Sequence, residues 1–329
     1  MMNMKKVIGI LALQALMLAP AYGQFETPVK TDVNTIKSKI LLVETQDEVT
    51  RTLMDLRPTP DRQQKYKDGV ANFNQLMQTV VDKNYKFGKK IEYMTAPKVA
   101  ALIRDGKAAK YAILHYTIQN SKIDPMDIGP VYGGEYTDSV RDYSKSKGFG
   151  ILSIQLINTD KKVQDVYSVA FPVAYPSGAD LTYALQTMQY VFGKVMKVTD
   201  YQVKDFRAEM EKNNKSLKRR TLLIAKSQLS PKTTIEDLKE GYYHPIQIVD
   251  YKAIDEAVMN NDTNYAYVEV LPIKASSTTA GKINILLRDL VLDAKDGRVM
   301  ATMKPGRMAR ENIADDLTKK EVKAFLLDE

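Results

Sequence analysis

Two histidines, His115 and His244, are the side chains of this sequence whose ordinary pKa lies near neutral pH. The chemistry open to them is metal ligation or general base catalysis. His115 falls inside the apolar run "YAILHYTI" and His244 stands beside Pro245 at the start of another, so they occupy different places and read as one structural and one surface histidine. No HExxH, GxSxG, Walker loop or GxGxxG occurs. The absence of cysteine excludes disulfides, a thiol nucleophile, cysteine metal ligands and the acylated cysteine of a lipoprotein. The carboxylate pairs Glu236-Asp237 and Asp315-Asp316 stand where helices are expected to start, complementing the helix dipole. Asp124, Asp127, Glu135 and Asp138 share one loop, but their spacing departs from the EF-hand pattern, and a solvated acidic loop is expected. No catalytic residue, metal site or cofactor is expected.

Binding residues are easier to nominate. The long loop Gln119 to Gly150 carries Tyr132, Gly133, Gly134, Tyr136 and Tyr143. Glycine-flanked tyrosines bring large contact area at low entropic cost, and long loops in compact domains are functional or disordered. Contact with a partner and a merely mobile loop both stay open. A basic cluster, Lys215, Lys218, Arg219 and Arg220, reads either as a solvated linker or as a contact for an anionic lipid or glycan surface.

These residues hang on a plan that occurs twice. The first half reads as a strand at "KILLVE" from Lys39 and a long helix from about Pro60 to Asp82, with Val70, Phe73, Leu76, Met77, Val80 and Val81 on one face. A strand at "IEYM" follows, then a short helix with Pro97 near its first turn and Gly106 past its end, then a strand from Tyr111. Two strands about Thr159 to Lys162 lead to a helix with Leu181, Leu185, Met188, Val191, Phe192, Val195 and Met196 on one face. The second half repeats the order: "TLLIAKS", a shorter helical segment, "IQIV", a short helix, a strand from Tyr265, two strands about Asp296-Gly297 and a closing helix.

"IEYM" matches "IQIV" at an offset of 155, which places Val99, Leu102 and Ile103 on Ile254, Ala257 and Val258. Tyr111-Ala112 meets Tyr265-Ala266 at 154, and the hairpins align at 136, putting Ile154, Leu156 and Val163 on Leu290, Leu292 and Val299. A duplicated unit explains the shared order and spacing. The expected fold is α/β (α+β): two tandem, structurally similar small domains, each a mixed sheet with helices packed on it. The expected divisions are 1–23 a signal peptide, 24–38 a lead, 39–200 the first domain, 201–220 a linker helix and 221–329 the second domain. The second-half counterpart of the tyrosine loop is the short "KASSTTAGK", Lys274 to Lys282.

Lys5-Lys6, the apolar run Val7 to Leu18 and the small residues Ala21 and Gly23 predict an exported chain, cleaved after Gly23. That run is shorter than the roughly 20 residues a membrane helix needs, so no transmembrane segment is expected in the mature chain. The net charge of +8, with acidic residues interspersed, argues weakly for anionic partners and not for nucleic acid, since no reader motif is present.

The order from "IEYM" through "KYAILHYTI" to a "T-D-x-x-V" or "D-G-R-V" hairpin and closing helix resembles the TolB amino-terminal domain and its relatives. Those relatives include the periplasmic domain of the curli secretion pore and lipoprotein activators of cell-wall synthases. The resemblance covers Lys39 to Lys197 and again Thr221 to Leu327, although no lipobox cysteine and no six-bladed propeller is present. It implies an anticodon-binding-like α/β fold and an envelope protein that docks onto other proteins, in the periplasm or at the outer membrane, without catalysis. The loop from Gln119 lacks the apolar alternation of a lipid-facing hairpin, so no pore is expected. Two alternatives stand beside this: a hydrolase of envelope polymers with carboxylates between the halves, and a component of a secretion complex.

Overall fold

The computed structural model describes residues 27–119, 149–158, 160–171, 173, 176–198, 203–277, 283–302 and 317–326. The lead segment enters the core. Lys30–Ser38 forms helix α1, whose Val33 and Ile36 are fully buried three residues apart on one face. Strand β1 (Ile40–Thr45), a helical turn α2 (Thr50–Asp55) and the long helix α3 (Pro60–Asn84) follow, with Pro60 in the first turn where its missing N–H costs nothing. Next come β2 (Ile91–Thr95), α4 (Ala96–Arg104), β3 (Tyr111–Gln119), β4 (Phe149–Ile157), β5 (Val163–Phe171) and α5 (Gly178–Lys197). Gly106 ends the turn after α4 with φ +72°, a conformation that side-chain-bearing residues rarely adopt.

Helix α6 (Val203–Asn214) leads into the second half: β6 (Thr221–Ala225), α7 (Ile235–Gly241), β7 (Ile246–Val249), α8 (Tyr251–Met259), β8 (Tyr265–Ser277), β9 (Ile283–Asp293), β10 (Val299–Thr302) and α9 (Lys319–Lys323). Among the described residues no helix is long and apolar enough to cross a membrane.

Each half builds a five-stranded mixed sheet, and the strand orders are the same: β2-β1-β3-β4-β5 and β7-β6-β8-β9-β10. In each, the first three strands are parallel and the last two are antiparallel. The likeness extends to single residues. Leu41 pairs with Ile91 and Ala112, while Leu222 pairs with Ile246 and Ala266. Both outer hairpins carry a bulge at the same point. Ile154 faces Tyr167 and Gln155 faces Asp165, skipping Val166, just as Val291 faces Ala301 and Leu292 faces Val299, skipping Met300.

That bulge corrects the hairpin alignment read from the sequence. Ile113 pairs with Gln155 and its counterpart Tyr267 pairs with Leu292, so the offset is 137 and not 136. A slip of one residue turns every side chain to the other face of the sheet. Matching apolar letter to apolar letter therefore joined residues that face opposite ways. The first four residues of "KASSTTAGK" also belong to the sheet: Lys274 to Ser277 pair with Ile283 to Leu286 as a ribbon extending β8 and β9.

One face of each sheet takes a helix pair, α3 with α5 in the first half and α7 with α9 in the second. Leu41, Val43 and Ile154 point to the first pair, and Leu222, Ile224 and Val291 to the second. The opposite face carries the short helix, α4 or α8. Helix α5 joins the halves. It begins with a capping box between Ser177 and Asp180 and is buried on nearly all sides, because it lies against α1, α3 and β5 on one flank and α8 on the other. Gln186 ties it to the second half: its Nε2 donates to Asn261 Oδ1 (2.6 Å) and to the Lys295 carbonyl (3.1 Å). One apolar core, including Phe73, Leu185, Phe192, Ile254 and Leu292, thus runs through both halves, and a second lies between β6 and the α7/α9 pair.

Candidate functional site

The nominated tyrosine loop, Tyr132, Gly133, Gly134, Tyr136 and Tyr143, lies outside the described residues, as do Asp124, Asp127, Glu135, Asp138, Asp315 and Asp316. The basic cluster divides. Lys215, Lys218 and Arg219 are exposed on the turn after α6, whereas Arg220 turns inward and its Nη2 donates to Asp293 Oδ2 at 3.3 Å. Arg220 is therefore removed from the surface group. The carboxylate of Asp293 is only 1% exposed, and a buried carboxylate needs a cation within reach. Burial pushes the Asp293 carboxyl up, against the opposing pull of the Lys295 backbone N–H and Arg220. Arg298 lies 4.0 Å from the same carboxylate and pairs with Asp296. Asp237 closes a capping box with Thr234 at the start of α7, the dipole role expected of the pair Glu236-Asp237. His244 stacks edge-on against Tyr242 and Tyr243.

The structure brings together a group that sequence reading left scattered. Near the carboxyl end of β1, Glu44 reaches across to β3, where His115 Nδ1 donates to Glu44 Oε1 at 2.9 Å. The side chains are 12% and 31% exposed. The hydrogen bond to Glu44 raises the His115 pKa above its ordinary value, with burial opposing and the charges of Glu44 and Asp165 adding. Ser153 stands directly opposite His115 in the β3–β4 register and shares a 2.8 Å hydrogen bond with Ser168 on β5. Gln155 Nε2 donates to Asp165 Oδ1 at 2.8 Å, extending the same polar strip toward the sheet edge.

Two other features mark this end of the sheet. Asn74 of α3 holds Gln46, the residue after β1, by hydrogen bonds to both its N–H and its carbonyl, and Tyr66 Oη accepts from the Val49 N–H. Around these contacts Leu53, Leu56, Tyr66 and Val70 form a small lobe from α2 and the first half of α3. Among the described residues the second half has no such lobe, since α7 is 7 residues long against 25 for α3.

A carboxylate, an imidazole and a serine on adjacent strands invite comparison with a hydrolytic triad. The Cβ atoms of directly opposed strand residues lie about 5 Å apart. Yet Ser153 sits mid-strand between β3 and β5, so the neighbouring backbone N–H groups are engaged in ladders and leave no preformed oxyanion site beside it. The arrangement is better suited to holding a polar or charged group at His115 Nε2 than to acyl transfer. Among the described residues no three His, Asp or Glu side chains gather as a metal site.

The pairing of Glu44 with His115 spans 71 residues, so no local pattern announces it. One signal was available: a histidine within an apolar strand needs a partner when half-buried. Comparison with protein-family models, with curated proteins and with solved structures yields no match.

Proposed function

We propose that the protein is a non-catalytic binding or assembly module of the cell envelope, built from two TolB-amino-terminal-like units. The observation that carries this reading is the use the fold makes of one sheet face in its own second half. There the α8 side of the sheet receives α5 of the first half, with Ala225, Leu290, Leu292 and Val299 buried together with that helix. The same positions in the first half are Glu44, Ser153, Gln155 and Asp165, a hydrogen-bonded polar strip beside His115. The first half thus keeps polar chemistry where the second half has an apolar seat: Ser153 is buried within the strip, while half-buried Gln155 and exposed Asp165 reach solvent and suit a polar segment of another envelope protein. Its export, its placement in the periplasm or at the outer membrane, and contact with anionic lipid or glycan belong to the same reading.

A photoreactive residue at Gln155 tests it in intact envelopes. A discrete crosslinked species at Gln155, absent with the probe at exposed Lys239 on α7, is the expected result. Equal, diffuse labelling at both positions would count against the reading. One observation favours a second reading, hydrolysis of an envelope polymer: His115 is oriented by a carboxylate as a general base would be. Turnover of isolated envelope polymer that His115→Asn abolishes, with the fold intact by circular dichroism, would establish that reading instead.

A further inference from the structure

The basic turn between the halves is half of a larger surface. Leu217, at the centre of that turn, is fully buried in the same core as Val322 and Phe325 of the α9 segment. Asn214, the last residue of α6, donates to the Phe325 carbonyl at 2.8 Å. These two contacts bring the Lys215–Arg219 turn beside α9, whose Lys320 and Lys323 are exposed. Residues about 100 positions apart therefore contribute to one face. Lys215, Lys218, Arg219, Lys320 and Lys323 make no ion pair with any described residue, in contrast to Arg220 beside them and Lys319, which bonds Glu240.

We propose that this surface docks the second half onto a bilayer rich in anionic phospholipid headgroups. Four of the five cations are lysines, compact point charges on flexible stems that are suited to a diffuse anionic surface more than to the fixed geometry of one small ligand. They sit exposed on a turn and a one-turn helix, and the two core contacts hold these segments side by side. Each such cation near an anionic membrane strengthens binding about fivefold, and the attraction fades within a Debye length as salt rises. The proposal rests on the envelope reading only in placing a membrane within reach. Vesicle binding succeeds or fails whatever the Gln155 crosslink shows, so the two failures are distinguishable.

The test uses the whole chain and sedimentation with vesicles of 30% phosphatidylglycerol in phosphatidylcholine, against pure phosphatidylcholine, at low and high salt. Binding only to the anionic vesicles, weakened by salt, is expected. The triple variant Lys215→Glu, Lys218→Glu, Lys323→Glu should lose more than a hundredfold in partitioning, while Lys65→Glu with Lys67→Glu in the first half leaves it unchanged. Neutral Lys218→Gln with Lys323→Gln, which disturbs folding least, should lose at least tenfold. Binding to neither vesicle, equal binding to both, equal binding by the triple variant, or retention on a polyanionic glycan without vesicle binding would each overturn the proposal.

Discussion

The same sheet face has opposite chemistry in the two halves. Where the first half places Glu44, His115, Ser153, Gln155 and Asp165, the second places Ala225, Glu269, Leu290, Leu292 and Val299. Strand order, pairing register and bulge are held constant, so the backbone does not account for the difference. What differs is the neighbour: α5 lies over the second-half face and requires apolar partners there. Even the exception fits, since Glu269 is buried within reach of Tyr183 on α5, whose hydroxyl burial pushes up with that carboxylate adding to the effect. A repeated unit can thus keep its fold while one copy turns a face inward onto a helix and the other lines the same face with hydrogen-bonded polar side chains.

The comparison breaks first under exchange. Leu292→Gln puts an amide into a fully buried position and should cost about 3–5 kcal/mol, the loss of a core leucine plus an unpaired polar group. Gln155→Leu, the reciprocal change at a half-buried site, should stay within about 1 kcal/mol. Urea denaturation of both variants reads the contrast, and similar losses would mean that the faces are equally enclosed. Arg220→Ala should follow at about 3 kcal/mol, since it strips the carboxylate of Asp293 of its closest cation while Arg298 remains 4.0 Å away. A change under 0.5 kcal/mol would return Arg220 to the surface cluster.

A smaller effect sharpens the first-half side. The folded pKa of His115 is raised, so the stabilisation its pair provides is complete below the unfolded value of about 6.5 and is lost as pH rises through the folded value. Glu44→Gln should therefore destabilise by about 1–2 kcal/mol at pH 5.5 and by less at pH 9. Equal losses at the two pH values would show that the pair does not titrate as a unit.

Much of this fold was legible in the letters because core periodicity repeats. Tyr111-Ala112 and Tyr265-Ala266 mark equivalent strands, and Val99 and Ile254 mark equivalent buried helix positions. The hairpin register was not legible, since a bulge shifts the period and the apolar face of β9 is set by α5, not by its own half. α1 went unread because its polar sequence hides Val33 and Ile36, whose burial depends on distant partners. The Glu44–His115 pair escaped for the same reason, being a contact across strands with no local signature. Of the basic cluster, the sequence held the residue types, while only the buried Asp293 explains why Arg220 departs.

The chain contains no cysteine, which makes single introduced cysteines clean reporters of the two faces. Gln155→Cys and Leu292→Cys, each treated with a thiol-reactive probe under native conditions, test the contrast directly. Ready labelling at 155 and protection at 292 until the protein unfolds are expected; comparable native labelling rates at the two positions would mean that the two faces are enclosed alike.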